Sequence, residues 1–169
     1  MMNSRRGLNS LQLWESLRNN IHTKDIFHGI YALDQLKGLE EVEPRLIIVN
    51  TDPSYKPGKH WLLFHFNTDG KSVDFFDSLG KMPQDYPKEI KHFLQRWCES
   101  IYCVPHRIQP VGSVLCGHYC LYYAYCKGLG ESMDEILNHL PSPTWIRQCI
   151  PVLFQITDIK TDCQACQSF

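Results

Sequence analysis

Two aromatic-rich runs separated by a strong turn signal constrain the fold of this chain more than any other segment. Residues 60–78 read HWLLFHFNTDGKSVDFFDS, and the turn residues Asn67, Thr68, Asp69 and Gly70 lie between the two runs. Aromatic and aliphatic runs around such a turn are typical of an antiparallel hairpin. We therefore expect the chain to build a sheet that contains this hairpin.

The hairpin is expected to bring one histidine close to one aspartate. A two-residue loop at 68–69 places His60 directly opposite Asp77. A loop shifted by one residue places Asp77 opposite Leu62, which leaves it a diagonal neighbour of His60 on the same face. In the first register Asp74 lies ~10 Å along the strand and on the other face. Asp77 is therefore the carboxylate predicted to orient His60.

The other periodic segments predict an α+β fold in a single domain over residues 1–169. Its N-terminal helix covers 10–21, a catalytic core covers about 25–126, and C-terminal helices with a short tail cover 131–169. We expect a central mixed or antiparallel sheet whose hairpin packs against helices. The further elements predicted are strands at 45–50 and 101–109, helices at 84–100, 116–130 and 131–140, and a helix from Thr144 that Pro151 interrupts.

Two of these helices carry explicit sequence signals. In the first, Leu11, Trp14, Leu17 and Ile21 recur at near-helical spacing behind Ser10, which is a predicted N-cap. The segment 84–100 spaces its apolar residues as a helix with one buried face does. Those apolar residues are Ile90, Phe93, Leu94, Trp97 and Cys98.

Charge and composition exclude several classes of protein. The 169 residues include 17 Lys and Arg against 18 Asp and Glu, so a net charge of −1 predicts no general affinity for nucleic acid or anionic membranes. No apolar run reaches the length of a spanning helix or a signal peptide, which predicts an intracellular protein without a membrane partner.

Eight cysteines in an intracellular protein predict free thiols, metal ligands or catalytic groups rather than disulfides. The only C-x-x-C pair is Cys163 and Cys166, and no second pair at finger spacing accompanies it. Structural zinc sites of the finger type use two such pairs. We therefore expect no metal site.

Cys116 is the thiol whose position favours reactivity. It stands in IQPVGSVLCGHYC, where a loop is expected to turn into a helix, and a helix N-terminus stabilises a thiolate over a thiol. Cys120 and Cys126 lie further along the same helix, where packing is the expected role. Buried sulfur, metal ligand and nucleophile all remain open for Cys116 on position alone.

A nucleophilic thiol needs a base and an oxyanion donor. Among eight histidines, His60 is the one expected at a sheet rim where loops gather, with Asp77 to fix its tautomer. Gln109 precedes Cys116 by 7 residues, and Gly112 lets the chain between them fold back. The Gln109 amide and the Cys116 backbone N–H are therefore predicted to converge on a developing oxyanion.

The two segments that carry these residues resemble the adenovirus-type cysteine proteases, adenain and its relatives in adenovirus-like mobile elements. The similar features are an IVNT strand, an H-W pair, an acidic residue in FFDSLG, and a glutamine ahead of Cys-Gly. The segment FHGIYALDQL at 27–36 is similar to the family's N-terminal substrate-side loop. The resemblance covers roughly residues 25–126.

The resemblance implies a thiol endopeptidase that cleaves after glycine or another small residue. It implies His60 as base, Asp77 as its orienting residue, Gln109 as oxyanion donor and Cys116 as nucleophile. It also implies that Trp61 walls a narrow substrate channel, with Gly112 and Gly117 beside the substrate. The expected substrates are capsid or other structural precursor proteins, processed in the host nucleus or cytoplasm or inside the virion.

Three departures from this family limit what the resemblance implies. The chain is shorter, lacks the basic character of the human adenovirus enzymes, and offers no cysteine that aligns with the one binding their activating peptide. We therefore expect no cofactor, and neither DNA nor a peptide as activator.

Two alternatives stay open. The wider clan includes proteases of SUMO and ubiquitin-like proteins, whose glutamine usually stands one residue closer to the cysteine, so the spacing here favours the adenain side. A non-catalytic metal-binding or interaction module is the second alternative.

Overall fold

The computed structural model describes residues 7–39 and 45–157, and their fold is mixed α+β, as predicted. Five strands form one mixed sheet. The strands are β1 (Phe27–Ala32), β2 (Leu46–Asn50), β3 (Trp61–Phe66), β4 (Ser72–Phe76) and β5 (Ser100–Cys103). The α-helices are α1 (Ser10–Asn19), α2 (Lys88–Trp97), α3 (Cys116–Gly128), α4 (Met133–Asn138) and α5 (Pro143–Leu153), and short 3-10 helices cover Leu33–Leu39 and Pro83–Asp85.

The chain divides into two compact units. Residues 26–108 form the first, which contains all five strands and α2 and is called the sheet unit below. Residues 7–25, together with residues 109–157, form the second, which contains the other four helices and is called the helical unit. The boundary between the units falls at Gln109, within the predicted catalytic core.

The sheet unit is built around the predicted hairpin. The strands lie in the order β1-β2-β3-β4-β5, with antiparallel pairing in the centre and parallel pairing at both edges. Alternate residues of the central strands bury one face against α2, because side chains two apart in a strand point to the same side. This core contains Ile47, Val49, Leu62, Phe64, Val73 and Phe75 from the sheet and Ile90, Phe93 and Leu94 from α2.

The pairing of β3 with β4 follows the second of the two predicted registers. Leu63 pairs with Phe76 and Phe64 with Phe75. Asn67 and Ser72 close the turn, with the Ser72 carbonyl accepting from the Asn67 N–H at 2.9 Å. This register corresponds to the loop shifted by one residue, so Asp77 is a diagonal neighbour of His60.

The helical unit is organised by α3, whose side chains Tyr119, Tyr123 and Ala124 are fully buried. Helices α1 and α5 both contact α3. This burial on several sides explains why α3 is apolar around most of its circumference. Helix α4 begins with a capping box, in which the Ser132 side chain accepts from the Glu135 N–H.

The predicted buried face of α1 is correct for Leu17 and wrong for Leu11, Trp14 and Ile21. The buried residues are Leu13, Ser16 and Leu17, whereas Leu11 is 62% exposed and Ile21 is 71% exposed. Ile21 lies beyond the last helical residue, so helical spacing does not apply to it. Asn9, not Ser10, is the N-cap, because its side chain accepts from the Gln12 N–H in a capping box.

Two further predictions require correction. The segment predicted as a substrate-side loop begins with β1, an edge strand that pairs with β2 in parallel. Pro151 does not interrupt the last helix, which continues to Leu153. A proline inside a helix removes one backbone hydrogen bond, and α5 nevertheless runs two residues past Pro151.

Cys149 on α5 departs from the expectation of free thiols, because it is disulfide-bonded. Five other cysteines in the described residues are free: Cys98, Cys103, Cys116, Cys120 and Cys126. Cys163 and Cys166 lie outside the described residues. No helix in the described part of the chain is both long and apolar enough to cross a membrane.

Candidate active site

The predicted base, His60, is hydrogen-bonded to the predicted carboxylate, Asp77. His60 immediately precedes β3 and Asp77 immediately follows β4, so the β3–β4 register sets both side chains at one end of the hairpin. The distance between His60 Nε2 and Asp77 Oδ1 is 2.7 Å, and both side chains are buried. The imidazole is therefore oriented through Nε2, with Nδ1 as the other ring nitrogen.

Asp77 is held by hydrogen bonds to both carboxylate oxygens. Besides His60, the Leu79 N–H donates to Oδ1 at 2.9 Å, and the Lys81 N–H donates to Oδ2 at 3.1 Å. The Tyr86 hydroxyl donates to Oδ2 at 2.6 Å. Burial alone would raise the pKa of Asp77, but the hydrogen bonds from His60, Tyr86 and Leu79 lower it below its ordinary value. Asp77 is accordingly an ionised carboxylate.

Tyr86 is a site residue that the sequence analysis missed. Its ring stacks nearly parallel to the imidazole of His60, with the centroids 6.3 Å apart and an interplanar angle of 12°. The ammonium of Lys81 lies 5.8 Å from the centroid of the Tyr86 ring. Nothing in the local pattern QDYPKE signals this contact, because it depends on the path of the chain between Asp77 and α2.

The loop before His60 is fixed at its base by Asn50, the last residue of β2. The Asn50 Oδ1 accepts from the Asp52 N–H at 2.9 Å and from the Lys59 N–H at 3.2 Å. Gly58 has φ of +91°, and a Cβ there would lie 2.7 Å from the Asn50 Nδ2. The Thr51 N–H also donates to the His60 carbonyl at 3.0 Å. These contacts fix the backbone from which the imidazole projects.

Gln109 and Cys116 lie at the two ends of a short loop in the helical unit. Gly112, at φ +72°, sits in a turn that the Ser113 N–H closes onto the Pro110 carbonyl at 3.2 Å. A positive φ at the third position of a turn is the reason glycine stands there. Gln109 is buried, and its Nε2 donates to the Ser113 carbonyl at 2.8 Å.

Cys116 is the first residue of α3, as predicted, and it is partly exposed. Leu115 at the N-cap has an apolar side chain, so no side-chain oxygen caps the first turn. The first N–H groups of a helix lack partners within the helix and carry partial positive charge. The thiol of Cys116 therefore stands at the partly positive end of α3, and Gly117, directly after it, is buried.

The predicted site residues thus form two groups. His60 and Asp77 belong to the sheet unit, and Gln109 and Cys116 belong to the helical unit. Trp61 begins β3, pairs with Asn50 of β2 and is partly buried. The roles of Trp61, Gly112 and Gly117 in substrate binding stay predictions.

Asp74, the rejected partner of His60, has a different environment. It pairs with His65 across the hairpin, and its Oδ1 accepts from the Asn67 Nδ2 at 3.1 Å. The preference for Asp77 over Asp74 as the partner of His60 therefore agrees with the contacts of both carboxylates. The part of the chain that the structure describes contains no group of three or more His, Cys, Asp and Glu placed to hold a metal ion.

Solved structures share this fold. The chain is similar to ASFV pS273R protease, with a TM-score of 0.64 and 15% identity over 90% of this chain and 67% of that one. ChlaDub1 from Chlamydia trachomatis gives a TM-score of 0.56 and 14% identity over 93% and 96%. The C-terminal Ulp1 protease domain, solved in complex with Smt3, the yeast ortholog of SUMO, gives 0.52 and 16% over 78% and 70%. No protein-family model and no curated protein sequence matches the chain.

Proposed function

We propose that this chain is a cysteine endopeptidase, working as one protease domain, with Cys116 as nucleophile and His60 as base. The observation that carries the proposal is the buried His60–Asp77 hydrogen bond at 2.7 Å, because a buried imidazole oriented by a carboxylate is what a thiol nucleophile requires. The fold shared with ASFV pS273R protease and with the Ulp1 protease domain supports the same reaction class.

In the proposed mechanism the two ring nitrogens of His60 have different tasks. Asp77 engages Nε2, so Nδ1 takes the proton of the Cys116 thiol and later returns it to the leaving amine. The ionised Asp77 stabilises the positive imidazolium between these two steps. The thiolate attacks the peptide carbonyl, forming an acyl-enzyme that water then hydrolyses.

Gln109 supplies the oxyanion donor in this mechanism. A glutamine amide nitrogen carries two hydrogens, and one of them donates to the Ser113 carbonyl. That bond fixes the plane of the amide, and the second hydrogen donates to the oxyanion. The Cys116 backbone N–H is the second donor.

Alkylation kinetics test the nucleophile. Limiting iodoacetamide at neutral pH, followed by mass mapping, should modify Cys116 well before Cys98 and Cys103, because burial raises the pKa of both of those thiols. Cys116→Ala should reduce peptide cleavage to background with an unchanged circular dichroism spectrum. Cys103→Ala is the matched control and should retain activity. Cleavage by the Cys116→Ala variant would refute the mechanism.

The proposed substrates are structural precursor proteins of an adenovirus-like virus or mobile element, cleaved after glycine or another small residue. The adenain resemblance of residues 25–126 supports this choice. The partly buried Trp61, next to the base, would exclude large side chains from the passage while admitting flat backbone. Short peptides with a glycine-containing site should therefore be cleaved, since strand-like pairing supplies their affinity.

A second candidate is a protease of ubiquitin-like proteins. The shared fold with ChlaDub1 and with the Ulp1 domain bound to Smt3 favours it. Such an enzyme recognises a broad surface of a folded modifier. Rapid turnover of SUMO or ubiquitin conjugates, with no cleavage of any short peptide, would establish this candidate and reject the first.

We further propose that the enzyme works inside the host cell, in the nucleus or the cytoplasm or within the virion, without DNA or peptide activation. The net charge of −1 supports independence from DNA. The purified chain should cleave a peptide equally well with and without added duplex DNA. A large stimulation by DNA would reject this part of the proposal.

A further inference from the structure

A large cavity lies in the helical unit, lined by the second half of α3, the connection between α4 and α5, and α5. Its volume is about 640 Å³, and Tyr125 and Trp145 form part of its wall. Leu129 and Val152 also line it, and they are 49% and 44% exposed. Apolar side chains that stay exposed around a cavity are typical of a surface that another segment or molecule covers.

The polar groups of the cavity wall are paired with one another. The Tyr122 hydroxyl and the His139 Nδ1 are 3.0 Å apart, and the His139 Nε2 contacts the Glu131 Oε2 at 2.5 Å. The Glu131 carboxylate thus already has a partner. An occupant of the cavity is therefore expected to contribute apolar side chains rather than a charge.

Cys149 connects the cavity wall to a segment beyond the described residues. It lines the cavity, is 2% exposed and is disulfide-bonded. The sequence has eight cysteines, and five of the others are free. The remaining two are Cys163 and Cys166, which belong to the segment 158–169. One of these two is therefore the partner of Cys149.

The end of α5 already turns the chain back towards Cys149. The Ile156 N–H donates to the Pro151 carbonyl at 2.8 Å, and the Gln155 N–H donates to the Val152 carbonyl at 3.1 Å. These two bonds form the Schellman pattern that ends many helices. Gln155 has φ of +55° and is the one described residue other than glycine with a positive φ. The chain after α5 therefore runs back beside the last turn of this helix.

We infer that the segment 158–169 covers this cavity, held there by the disulfide of Cys149, and that reduction of the disulfide uncovers it. A disulfide requires two Cα atoms about 4.4–6.8 Å apart, which brings the segment to the cavity wall. The chain from Thr157 to Cys163 can extend by about 20 Å, so the return needs no stretching. The apolar side chains that the segment offers are Ile159, Ala165 and Phe169.

The disulfide makes this cover conditional on redox state. A dithiol reductant transfers two electrons and two protons to the S–S bond, giving two thiols and the cyclic disulfide of the reductant. Closing a loop of about 15 residues by a disulfide favours the closed arrangement by about 10²-fold. Reduction should therefore shift the cavity towards its uncovered state by the same factor. The inference goes beyond the protease proposal, because none of its residues belongs to the proposed catalytic set.

Peptide mapping tests the covalent part of the inference. Trypsin cleaves after Arg147 and Lys160, so Cys149 falls in the peptide 148–160 and both candidate partners fall in 161–169. The full chain is equilibrated with oxidised glutathione, alkylated with iodoacetamide under denaturing conditions and digested. The two peptides should appear as one linked species that dithiothreitol separates. An alkylated Cys149, or a linked dimer of the chain on a non-reducing gel, would overturn the inference.

Binding of the neutral apolar dye Nile red tests the covering of the cavity. The oxidised chain should bind the dye about 10²-fold more weakly than the chain reduced with dithiothreitol. Cys149→Ser and the double variant Cys163→Ser/Cys166→Ser should bind it as tightly as the reduced chain does, without any reductant. Equal dye affinities in the oxidised chain, the reduced chain and these variants would overturn the inference.

Two further variants show where the dye binds. Val152→Arg, added to the Cys149→Ser chain at a position that is 44% exposed, should block the cavity and remove the gain in affinity. Cys103→Ser, which changes a free cysteine of the sheet unit, is the matched control and should keep the difference between the oxidised and reduced chains. A gain that survives Val152→Arg would place the dye elsewhere and overturn the inference.

Discussion

The carboxylate end of the β3–β4 hairpin and the loop that leads into α3 are held in place by different means. Asp77 is fully buried, and its carboxylate forms hydrogen bonds with the His60 imidazole, the Tyr86 hydroxyl and two backbone N–H groups. The loop before Cys116 depends on one glycine turn and on the hydrogen bond from Gln109 to the Ser113 carbonyl. The Ser113 hydroxyl is buried and has no hydrogen-bond partner among the described residues.

The difference shows where pre-organisation is concentrated. A carboxylate with several donors cannot move without breaking a network, so the imidazole is fixed before any substrate binds. The loop before Cys116 leaves the buried Ser113 hydroxyl without a partner among the described residues, so its hydrogen bonding is less complete. Substitutions at the hairpin end should therefore lower the reaction rate by disturbing the orientation of the His60 imidazole. Substitutions in the loop should lower it by removing one hydrogen-bond donor to the oxyanion.

The largest effect is expected from Asp77→Asn. An amide can donate as well as accept, so it allows the imidazole a wrong tautomer and no longer stabilises the imidazolium, which should lower kcat by about 10³- to 10⁴-fold. KM should change little, and steady-state peptide kinetics measure both.

Asp74→Asn is the matched control for that variant. Asp74 is also a buried aspartate of the hairpin, but its contacts are with Asn67 and His65. The kcat of the Asp74→Asn variant should stay close to that of the unaltered chain. Equal losses in the two aspartate variants would remove the assignment of Asp77 as the orienting residue.

His118 on α3 and Asp77 at the hairpin end should make the stability of the chain depend on pH in different ranges. Burial, and to a lesser degree Arg147, lower the pKa of His118 from 6.5 to about 4. The unfolded chain then binds the proton first, so stability is full above pH 6.5 and falls by about 3 kcal/mol as the pH drops to 4. The lowered pKa of Asp77 acts later, since its stabilisation is lost only below its ordinary value of 3.8.

Urea unfolding at several pH values checks this difference. His118→Leu should flatten the dependence between pH 6.5 and 4, because the His118 Nδ1 is buried without a hydrogen-bond partner in the described residues. Asp77→Asn should leave that range unaltered. A slope that survives in His118→Leu would assign the acid sensitivity to another group.

A smaller effect on the rate is expected from Gln109→Ala. Deletion of one oxyanion donor lowers kcat by about 10²-fold with little change in KM. Gln95→Ala, at an exposed position of α2, is the control and should be silent. A change confined to KM would reassign Gln109 to substrate binding.

The smallest effect is expected from Tyr86→Phe. The variant keeps the ring that stacks on His60 and removes one hydrogen bond to Asp77, which is worth about 1–2 kcal/mol and up to about tenfold in kcat. The pKa of Asp77 should rise towards its ordinary value, which the pH dependence of kcat would report. Tyr102→Phe, at a site that is 55% exposed, is the control and should leave kcat and the pKa of Asp77 unaltered.

Local sequence signals predicted the hairpin, the helix that begins at Cys116 and the pairing of His60 with Asp77, because each depends on neighbours within a few residues or across one turn. They could not choose the loop register, since Asn67 to Gly70 allows two closures. They selected Leu11 for the buried face of α1 because leucines at 11, 13 and 17 satisfy more than one helical face. Tyr86 was missed because its contact arises from chain path rather than spacing.

The positions of the loop from Thr51 to Lys59 differ in how much sequence change they tolerate, which matters for the evolution and engineering of this chain. Asn50 and Gly58 fix its base, while Tyr55 at its tip is 82% exposed. Long surface insertions cost little closure entropy when the flanking contacts are kept. Tyr55 can therefore diverge or accept a grafted peptide beside it, whereas Ser54, which donates two hydrogen bonds to Asp34, and the two ends of the loop leave little sequence freedom.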